Sequence, residues 1–219
     1  MKIGCVLVMY NPQRELLTAS LNALNEQVDE IFLGDNSVNM PDFITTLLNL
    51  YPNTYYHSFN KNLGIAEAQN RGIIYFQKKG FDFVLFMDQD SLAPNNLVSS
   101  LLADYNRLKE IGIPIGGIGP RPFNRGEGKP YIGAVKKGKL ILPKITEVGE
   151  IISSASLIPI PHFKQVGGME SSLFIDGVDH EWCWRAKKIG GWRFFISESV
   201  QLSHQVGEGD RPFIFRKVA

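Results

Sequence analysis

The sequence has few cysteines, no long apolar run and almost no excess of charge, and each shortage excludes a class of protein. Two cysteines, Cys5 and Cys183, cannot build a disulfide framework, so we expect a reducing compartment. No apolar run reaches the ~18–20 residues of a membrane span. Lys and Arg total 23 against 22 Asp and Glu, which argues against a partner bound mainly through nucleic-acid phosphates. The chain start lacks a secretory pattern, so we expect a cytoplasmic protein.

Short apolar runs alternate with helical patterns through the first half of the chain. The alternation predicts βαβ units on a parallel sheet, and such sheets bind ligands at the carboxyl ends of their strands. The predicted strands are Ile3–Met9, Glu30–Leu33, Thr54–Ser58 and Phe81–Met87, and the predicted helices are Glu15–Asn25, Asp42–Leu50, Ile65–Gln77 and Pro94–Ile111.

The composition changes after about residue 112. Ile113–Pro122 is rich in Gly and Pro, and we expect loops and a hairpin over Arg121–Lys144, which holds seven basic residues and one acid. A turn-rich passage is predicted over Pro159–Phe174. The remaining predicted elements are the strands Ile151–Ile158 and Trp192–Ile196 and a helix over Val178–Ile189, ended by Gly190 and Gly191.

Two carboxylates, Asp88 and Asp90, follow the most apolar predicted strand. Holding like charges together is costly unless a cation lies between them. Mg²⁺ and Mn²⁺ prefer oxygen ligands and borrow others from substrate phosphates, so the pair indicates a divalent-metal site. An ordinary solvated turn is the alternative interpretation.

Two other segments have the chemistry of a nucleotide site. Asn60–Gly64 precedes a predicted helix, whose free N–H groups would favour a diphosphate, although a capped turn explains the same pattern. Asp35 at the end of the second strand could accept the N3–H of uracil or thymine, or simply cap a turn. No GxGxxG fingerprint is present, so a dinucleotide-binding Rossmann domain is poorly supported.

A late acidic segment is the third candidate. Asp176, Asp179 and Glu181 surround the start of a predicted helix, where the helix dipole stabilises acids. One acid would suffice for capping, and Trp182 and Trp184 beside the acids indicate a surface on which a sugar ring stacks. His204 follows the last strand; on its own such a histidine is more often structural than a ligand.

In this order the motifs resemble family 2 glycosyltransferases of the GT-A fold. The late motif Phe174-Ile175-Asp176-x-x-Asp179-x-Glu181-Trp182-x-x-Arg185 more specifically resembles bacterial rhamnosyltransferases that use dTDP-rhamnose. The earlier motifs are Val6 to Asn11, Asp35-Asn36-Ser37, Asn60-x-Asn62-x-Gly64-x-Ala66-x-Ala68-x-Asn70-x-Gly72 and Asp88-x-Asp90.

The resemblance implies a role for each matched residue. Asp179 aligns with the catalytic base and Glu181 with the acid two positions on. Many members carry an acidic pair at the base, whereas here Val178 precedes Asp179, so Asp176 stays a second candidate; Arg185, six residues on, favours Asp179. The other implied roles are base and sugar binding by Tyr10, Asn11 and Asp35, a nucleotide pocket shaped by Asn62, Gly64 and Asn70, ribose contact by Asp88, metal binding by Asp90 and His204, and sugar contact by Trp182 and Trp184.

The implied fold is α/β, with a central, mostly parallel GT-A sheet flanked by helices and a single domain over 1–219. About 1–112 would bind the nucleotide sugar and about 113–219 would hold the acceptor and the base. The implied activity is an inverting transfer, dependent on Mg²⁺ or Mn²⁺, of rhamnose from dTDP-rhamnose to a saccharide or lipid-linked acceptor in cell-surface polysaccharide synthesis. The basic stretch is either a solvated loop or a contact with the inner face of the cell membrane; an oligomer is left open.

Two alternatives compete with this interpretation. A metal-dependent phosphohydrolase or sugar-nucleotidyltransferase could use Asp88 and Asp90, but nucleotidyltransferases usually carry a glycine-rich loop after the first strand, where this chain has Tyr10 to Arg14. A non-catalytic nucleotide-sugar-binding module would not need the three late acids, and all three are present.

Overall fold

A computed structural model describes residues 1–124, 129–130 and 137–204, and the described residues form one ten-stranded sheet in the order β3-β2-β1-β4-β9-β5-β10-β8-β7, with β6 pairing to β5. The strands are β1 (Ile3–Met9), β2 (Glu30–Asp35), β3 (Thr54–Ser58), β4 (Phe83–Asp88), β5 (Ile115–Asn124), β6 (Lys129–Pro130), β7 (Lys139–Leu142), β8 (Ile145–Val148), β9 (Leu157–Pro159) and β10 (Arg193–His204). The α-helices are α1 (Arg14–Leu24), α2 (Ile44–Leu50), α3 (Gly64–Lys78), α4 (Leu97–Glu110), α5 (Ile160–Val166) and α6 (Val178–Gly190).

The strand directions determine which strand ends lie together. The four strands of the first half, β3, β2, β1 and β4, are parallel. The second half is mixed: β9 is antiparallel to β4 and β5, and β10 is parallel to β5. The carboxyl ends of β1, β2, β4, β5 and β10 therefore lie at one edge of the sheet, which we call the carboxyl edge.

Alternating strand residues divide the core into two layers. On β1, Cys5 and Leu7 face one layer and Val6 faces the other. Helices α1, α2 and α4 pack on the first layer and α3, α5 and α6 on the second, which gives the predicted α/β arrangement of a sheet flanked by helices. Cys5 and Cys183 are buried as core residues, and burial raises the pKa of both thiols.

Two predictions in the second half were wrong, and one strand was not predicted. The Gly- and Pro-rich segment after residue 112, for which no strand was predicted, forms the central strand β5, because its glycines let the strand approach Ile158 and Trp192 closely. The passage predicted as turns contains α5, which starts with Pro161 in the first turn. The predicted strand Ile151–Ile158 is a loop until Leu157. No helix in the described part of the chain is long and apolar enough to cross a membrane.

Candidate active site

The ends of β1 and β4 are joined at the carboxyl edge by a side chain that the sequence analysis did not single out. The Gln89 amide accepts from the Tyr10 N–H at 2.8 Å and donates to the Tyr10 carbonyl at 3.1 Å. Tyr10 itself is 47% exposed, so its ring is available to a ligand. Asn11 has a φ of +46° and donates its N–H to Ser37 Oγ at 2.8 Å, which connects this turn to the end of β2.

Asp35 is buried, and both of its carboxylate oxygens already accept hydrogen bonds. The Ser37 N–H donates to Oδ1 and the Tyr56 hydroxyl donates to Oδ2, each at 2.8 Å. Burial and this bond to Asp35 raise the pKa of Tyr56 to about 12, so the phenol stays a donor. A base N3–H would have to share an oxygen with one of these groups. In this structure Asp35 shapes the turn at the end of β2 and is not an open acceptor.

The start of α3 does not offer the free N–H groups that the sequence analysis assigned to a diphosphate. The Phe174 carbonyl accepts from the N–H of Ile65 at 2.7 Å and of Ala66 at 3.3 Å. The Asn62 side chain accepts from the Gly64 N–H at 2.9 Å. Of the two interpretations given for this segment, the structure has the capped turn, because a later loop caps the helix; Asn62 and Gly64 shape this corner of the site.

Gly64 is needed for the cap. Its φ is +80°, and a Cβ there would lie 2.5 Å from the Phe174 carbonyl oxygen. Buried Asn36, at the end of β2, holds the same turn: it accepts from the Leu63 N–H at 3.0 Å and donates to the Gly64 carbonyl at 3.1 Å.

Asp88 and Asp90 lie at the carboxyl edge, as predicted. Asp90 is exposed, and Asp88 lines a cleft with a volume of about 180 Å³. Among the residues that the structure describes, no three His, Cys, Asp or Glu side chains cluster as a metal site. One or two carboxylates are what Mg²⁺ takes from a protein when substrate phosphates and waters complete its shell, so this donor set fits a cation that binds together with the diphosphate.

Asp179 lines the same cleft as Asp88, although the two residues are far apart in sequence. The Asp179 carboxylate is fixed by two backbone groups: the Ser153 N–H donates to Oδ2 at 3.0 Å and the His180 N–H donates to Oδ1 at 2.9 Å. Its side chain remains 24% exposed, so it can meet a substrate. Asp176 is exposed and does not line this cleft. Of the two candidates for the base, the geometry favours Asp179.

Glu181 does not face the cleft as a third acid. It forms a two-point ion pair with Arg185, at 2.7 Å to Nε and 2.8 Å to Nη2. Arg185 also donates to the carbonyls of Val166 and Gly168, each at 2.7 Å. Its bond to Glu181 raises the pKa of Arg185 further. In this structure Glu181 orients Arg185, which in turn holds the loop before α6. The catalytic assignment of Glu181 stays a prediction.

The two tryptophans of the late motif differ in exposure. Trp182 is 1% exposed, packs against Phe163 and Phe194, and donates its indole N–H to the Gly167 carbonyl at 3.0 Å. The prediction that it contacts a sugar is corrected, because it is a core residue. Trp184 is 58% exposed, with its indole N–H bonded to Glu150 at 3.1 Å, so its predicted sugar contact stays open.

Asn70 braces α3 against the loop before α6. Its amide accepts from the Met169 N–H at 2.7 Å and donates to the Met169 carbonyl at 2.9 Å. A Cβ on Gly168 would lie 2.3 Å from the Asn70 amide oxygen, so a larger residue there would displace the Asn70 side chain. In this structure Asn70 connects the two halves of the chain, and its predicted nucleotide role stays a prediction.

His204 ends β10 at the carboxyl edge, paired with Asn124. The His204 side chain is outside the described part of the structure. So are Arg125 and Lys136 of the basic stretch and the side chain of Lys129. Arg121 pairs with Glu198 at 2.8 Å, whereas Lys137, Lys139 and Lys144 are exposed.

Comparisons with known proteins identify the family of the chain. Residues 5–154 match the family model for glycosyl transferase family 2. The chain is 31% identical over 216 residues to the dTDP-rhamnosyl transferase RfbF of Shigella flexneri, covering 94% of this chain and 70% of the relative.

Solved glycosyltransferase structures share the fold. The structure of GalNAc-T7 with UDP, GalNAc and Mn²⁺ superposes with a TM-score of 0.72 at 14% identity, covering 94% of this chain and 44% of that one. S. aureus TarS 1–349 in complex with UDP superposes with a TM-score of 0.68 at 17% identity, covering 94% and 61%. The chain thus spans about half of these solved proteins.

The sheet has the GT-A fold of these glycosyltransferase structures. The chain belongs to glycosyl transferase family 2, and within it is similar to a bacterial rhamnosyl transferase.

Proposed function

We propose that this protein is an inverting, metal-dependent rhamnosyltransferase that uses dTDP-rhamnose, with Asp179 as its general base. The observation that carries the proposal is the cleft shared by Asp88 and Asp179, because it joins the metal-side carboxylate to a carboxylate fixed for proton transfer. The name of the RfbF relative supports the donor. The acceptor is proposed to be a saccharide or lipid-linked saccharide used in cell-surface polysaccharide synthesis.

The reaction is a single displacement at the anomeric carbon. The acceptor hydroxyl oxygen bonds to that carbon as its proton passes to Asp179, and the bond to the diphosphate oxygen breaks with its electron pair leaving on the nucleotide. General-base catalysis of this kind contributes roughly 10²–10⁴-fold. A divalent cation held by Asp90, with Asp88 and His204 beside it, would supply Lewis-acid stabilisation of the leaving diphosphate.

The two halves of the chain divide the work in this proposal. Residues 1–112 bind the nucleotide, with Tyr10 and Asn11 at the end of β1 and Asp35 shaping the turn of β2. Residues from 113 onward hold the base and the acceptor, where the exposed Trp184 offers a ring on which a sugar can stack.

Donor binding and transfer should be lost separately in two variants. Asp90→Ala should abolish the Mg²⁺-dependent part of dTDP-rhamnose binding, measured by calorimetry, because Asp90 is the exposed carboxylate of the pair. Asp82→Ala, an exposed aspartate just before β4 and so at the opposite edge of the sheet, is its control. Unchanged Mg²⁺-dependent binding in Asp90→Ala would contradict the metal assignment.

Asp179→Asn should leave the donor affinity near that of the wild type while transfer falls by roughly 10²–10⁴-fold. Asp176→Asn is the matched control, since it lies nearby on the chain but outside the cleft. A collapse of transfer in Asp176→Asn alone would show that the base is Asp176.

The proposal places the protein in the cytoplasm, with peripheral contact at the inner face of the cell membrane. Exposed Lys137, Lys139 and Lys144 support it, because clustered lysines are attracted to anionic lipid. Binding to phosphatidylglycerol vesicles should weaken steeply with salt and with Lys137, Lys139 and Lys144 changed to Gln. Equal binding to neutral vesicles would contradict it.

A further inference from the structure

We infer that Ile65, Ile152, Ile175 and Val178 form a subsite for the methyl group of a 6-deoxyhexose, and so make the enzyme select its donor sugar at carbon 6. This inference rests on the proposed function, because it assumes that a nucleotide-linked deoxyhexose is the donor. It adds the residues that would distinguish that donor from its 6-hydroxy counterpart.

The cleft between Asp88 and Asp179 is lined by two chemically different sets of residues. Asp88, Ser153, Ser154 and Asp179 supply polar groups, and the four aliphatic residues named above supply the rest of the lining. In an inverting displacement the sugar lies between the leaving diphosphate and the base, which here means between Asp88 and Asp179. A donor sugar that occupies this cleft therefore meets aliphatic as well as polar residues.

The aliphatic lining residues are positioned by hydrogen bonds already described for the site. The Phe174 carbonyl that caps α3 accepts from Ile65 N–H at 2.7 Å, which brings Ile65 against the residue before Ile175. The bond from Ser153 N–H to Asp179 places Ile152 beside the first turn of α6, where Val178 is buried. The four side chains come from three separate segments, so their meeting at the cleft is set by these contacts.

Ile175 is 49% exposed, together with its exposed neighbours Leu173 and Phe174. Single exposed apolar residues need no explanation, but three in succession beside a carboxylate-lined cleft indicate a contact surface. A methyl group on this surface gains by leaving water, whereas a hydroxymethyl group would lose a hydrogen bond to water without finding a partner.

A matched pair of donors tests the subsite without knowledge of the acceptor. dTDP-L-rhamnose and dTDP-L-mannose differ by one hydroxyl at carbon 6, and calorimetry of the full chain with Mg²⁺ gives both dissociation constants. Apolar pockets discriminate against an added hydroxyl by up to about 10²-fold. We expect the wild type to bind the rhamnose donor about 10- to 100-fold more tightly.

Ile175→Asn and Ile152→Asn should bring this ratio towards one, because each offers the hydroxyl a partner. Neither should change the affinity for dTDP alone, which reports that the nucleotide half is intact. Ile74→Asn is the matched control: Ile74 is 44% exposed on α3 and outside the cleft, so the wild-type ratio should persist.

Failure of the subsite inference and failure of the proposed function give different results. A wild-type ratio near one, or a ratio that neither cleft variant changes, overturns the subsite while leaving the proposed function standing. If dTDP and both dTDP-sugars fail to bind while a UDP-sugar binds, the proposed donor is wrong and the subsite inference is overturned with it.

Discussion

At the residue scale, His162 couples the fold to pH. It is buried in α5, with Nε2 2.9 Å from the Ile115 carbonyl and its ring stacked on Trp192 at 3.8 Å between centroids. Burial lowers the pKa of His162 from its usual value of about 6.5, although the bond to Ile115 opposes this shift. The folded protein therefore holds the neutral ring, which can donate its Nε2–H to the carbonyl.

The sign of the pH effect follows from this shift. Below about pH 6.5 the unfolded chain takes up a proton at this histidine before the folded chain does, so the free energy of unfolding should fall as the pH drops from about 7.5 to 5.5. Urea unfolding of the wild type and His162→Phe measures it, and the variant should lose this contribution to the pH slope. Identical slopes would contradict the assignment.

At Gly64 the cost of backbone strain can be separated from the cost of a steric clash. Gly64→Ala should lower the free energy of unfolding by more than the ~1–3 kcal/mol of backbone strain, because the new Cβ also meets the Phe174 carbonyl. Gly80→Ala is the matched control, since Gly80 has a φ of +70° but nothing within 4 Å of a Cβ. Equal losses in denaturant unfolding would show that the cap on α3 does not restrict this position.

Local patterns locate polar residues but not their partners. The carboxylates at the carboxyl edge could be placed from the sequence because strand ends and turn residues are local signals. The contacts of Asn70 and Trp182 could not, because each depends on the 166–169 segment, which the tertiary fold brings to them. The pair of Glu181 with Arg185 has the local i,i+4 spacing, but the two carbonyls of that segment to which Arg185 donates were not visible. Gln89 stands between two aspartates in the sequence, so its side chain was an evident hydrogen-bonding group. Its partner, the Tyr10 backbone, could not be inferred from that position.

At the element scale, Arg185 attaches α6 to the loop that precedes it. Arg185→Lys keeps the charge but cannot bond Glu181 at two points and two carbonyls at once. We expect a loss of about 1.5–3 kcal/mol in unfolding free energy and a lower kcat with an unchanged dissociation constant for the donor, because Asp179 lies on α6.

Arg71→Lys is the control for this change. Arg71 also forms an i,i+4 ion pair, with Glu67, but on the surface with its side chain 55% exposed, so its loss should cost under about 1 kcal/mol and leave kcat unaltered. If both variants behave alike, the contacts of Arg185 with the loop carbonyls contribute nothing beyond an exposed salt bridge.

Helices and strands were predictable where a single hydrophobic pattern extends over the whole segment. The first-half strands and helices were placed to within three residues, because buried parallel strands and amphipathic helices repeat their patterns over the whole element. The strand β5 was missed because Gly and Pro, which usually mark loops, here permit close packing in the centre of a sheet. The short helix α5 gave too few turns for a periodic signal.

At the scale of the whole molecule, the parallel half and the mixed half of the sheet meet at β9 and again where α3 contacts the loop before α6. The second contact is the brace of Asn70 on Met169 together with the Phe174 cap. The shared cleft depends on it, because Asp88 belongs to one half and Asp179 to the other. This second contact between the halves is made of a few hydrogen bonds beside the site.

Asn70→Ala should loosen this contact without unfolding either half. Hydrogen exchange at the Met169 amide should accelerate, because its acceptor at 2.7 Å is gone, and kcat should fall while the donor dissociation constant stays unchanged. Lys78→Ala, an exposed change near the end of the same helix, should alter neither quantity. If donor affinity falls with kcat unchanged, Asn70 acts on the nucleotide directly, and the arrangement of Asp88 and Asp179 does not depend on this brace.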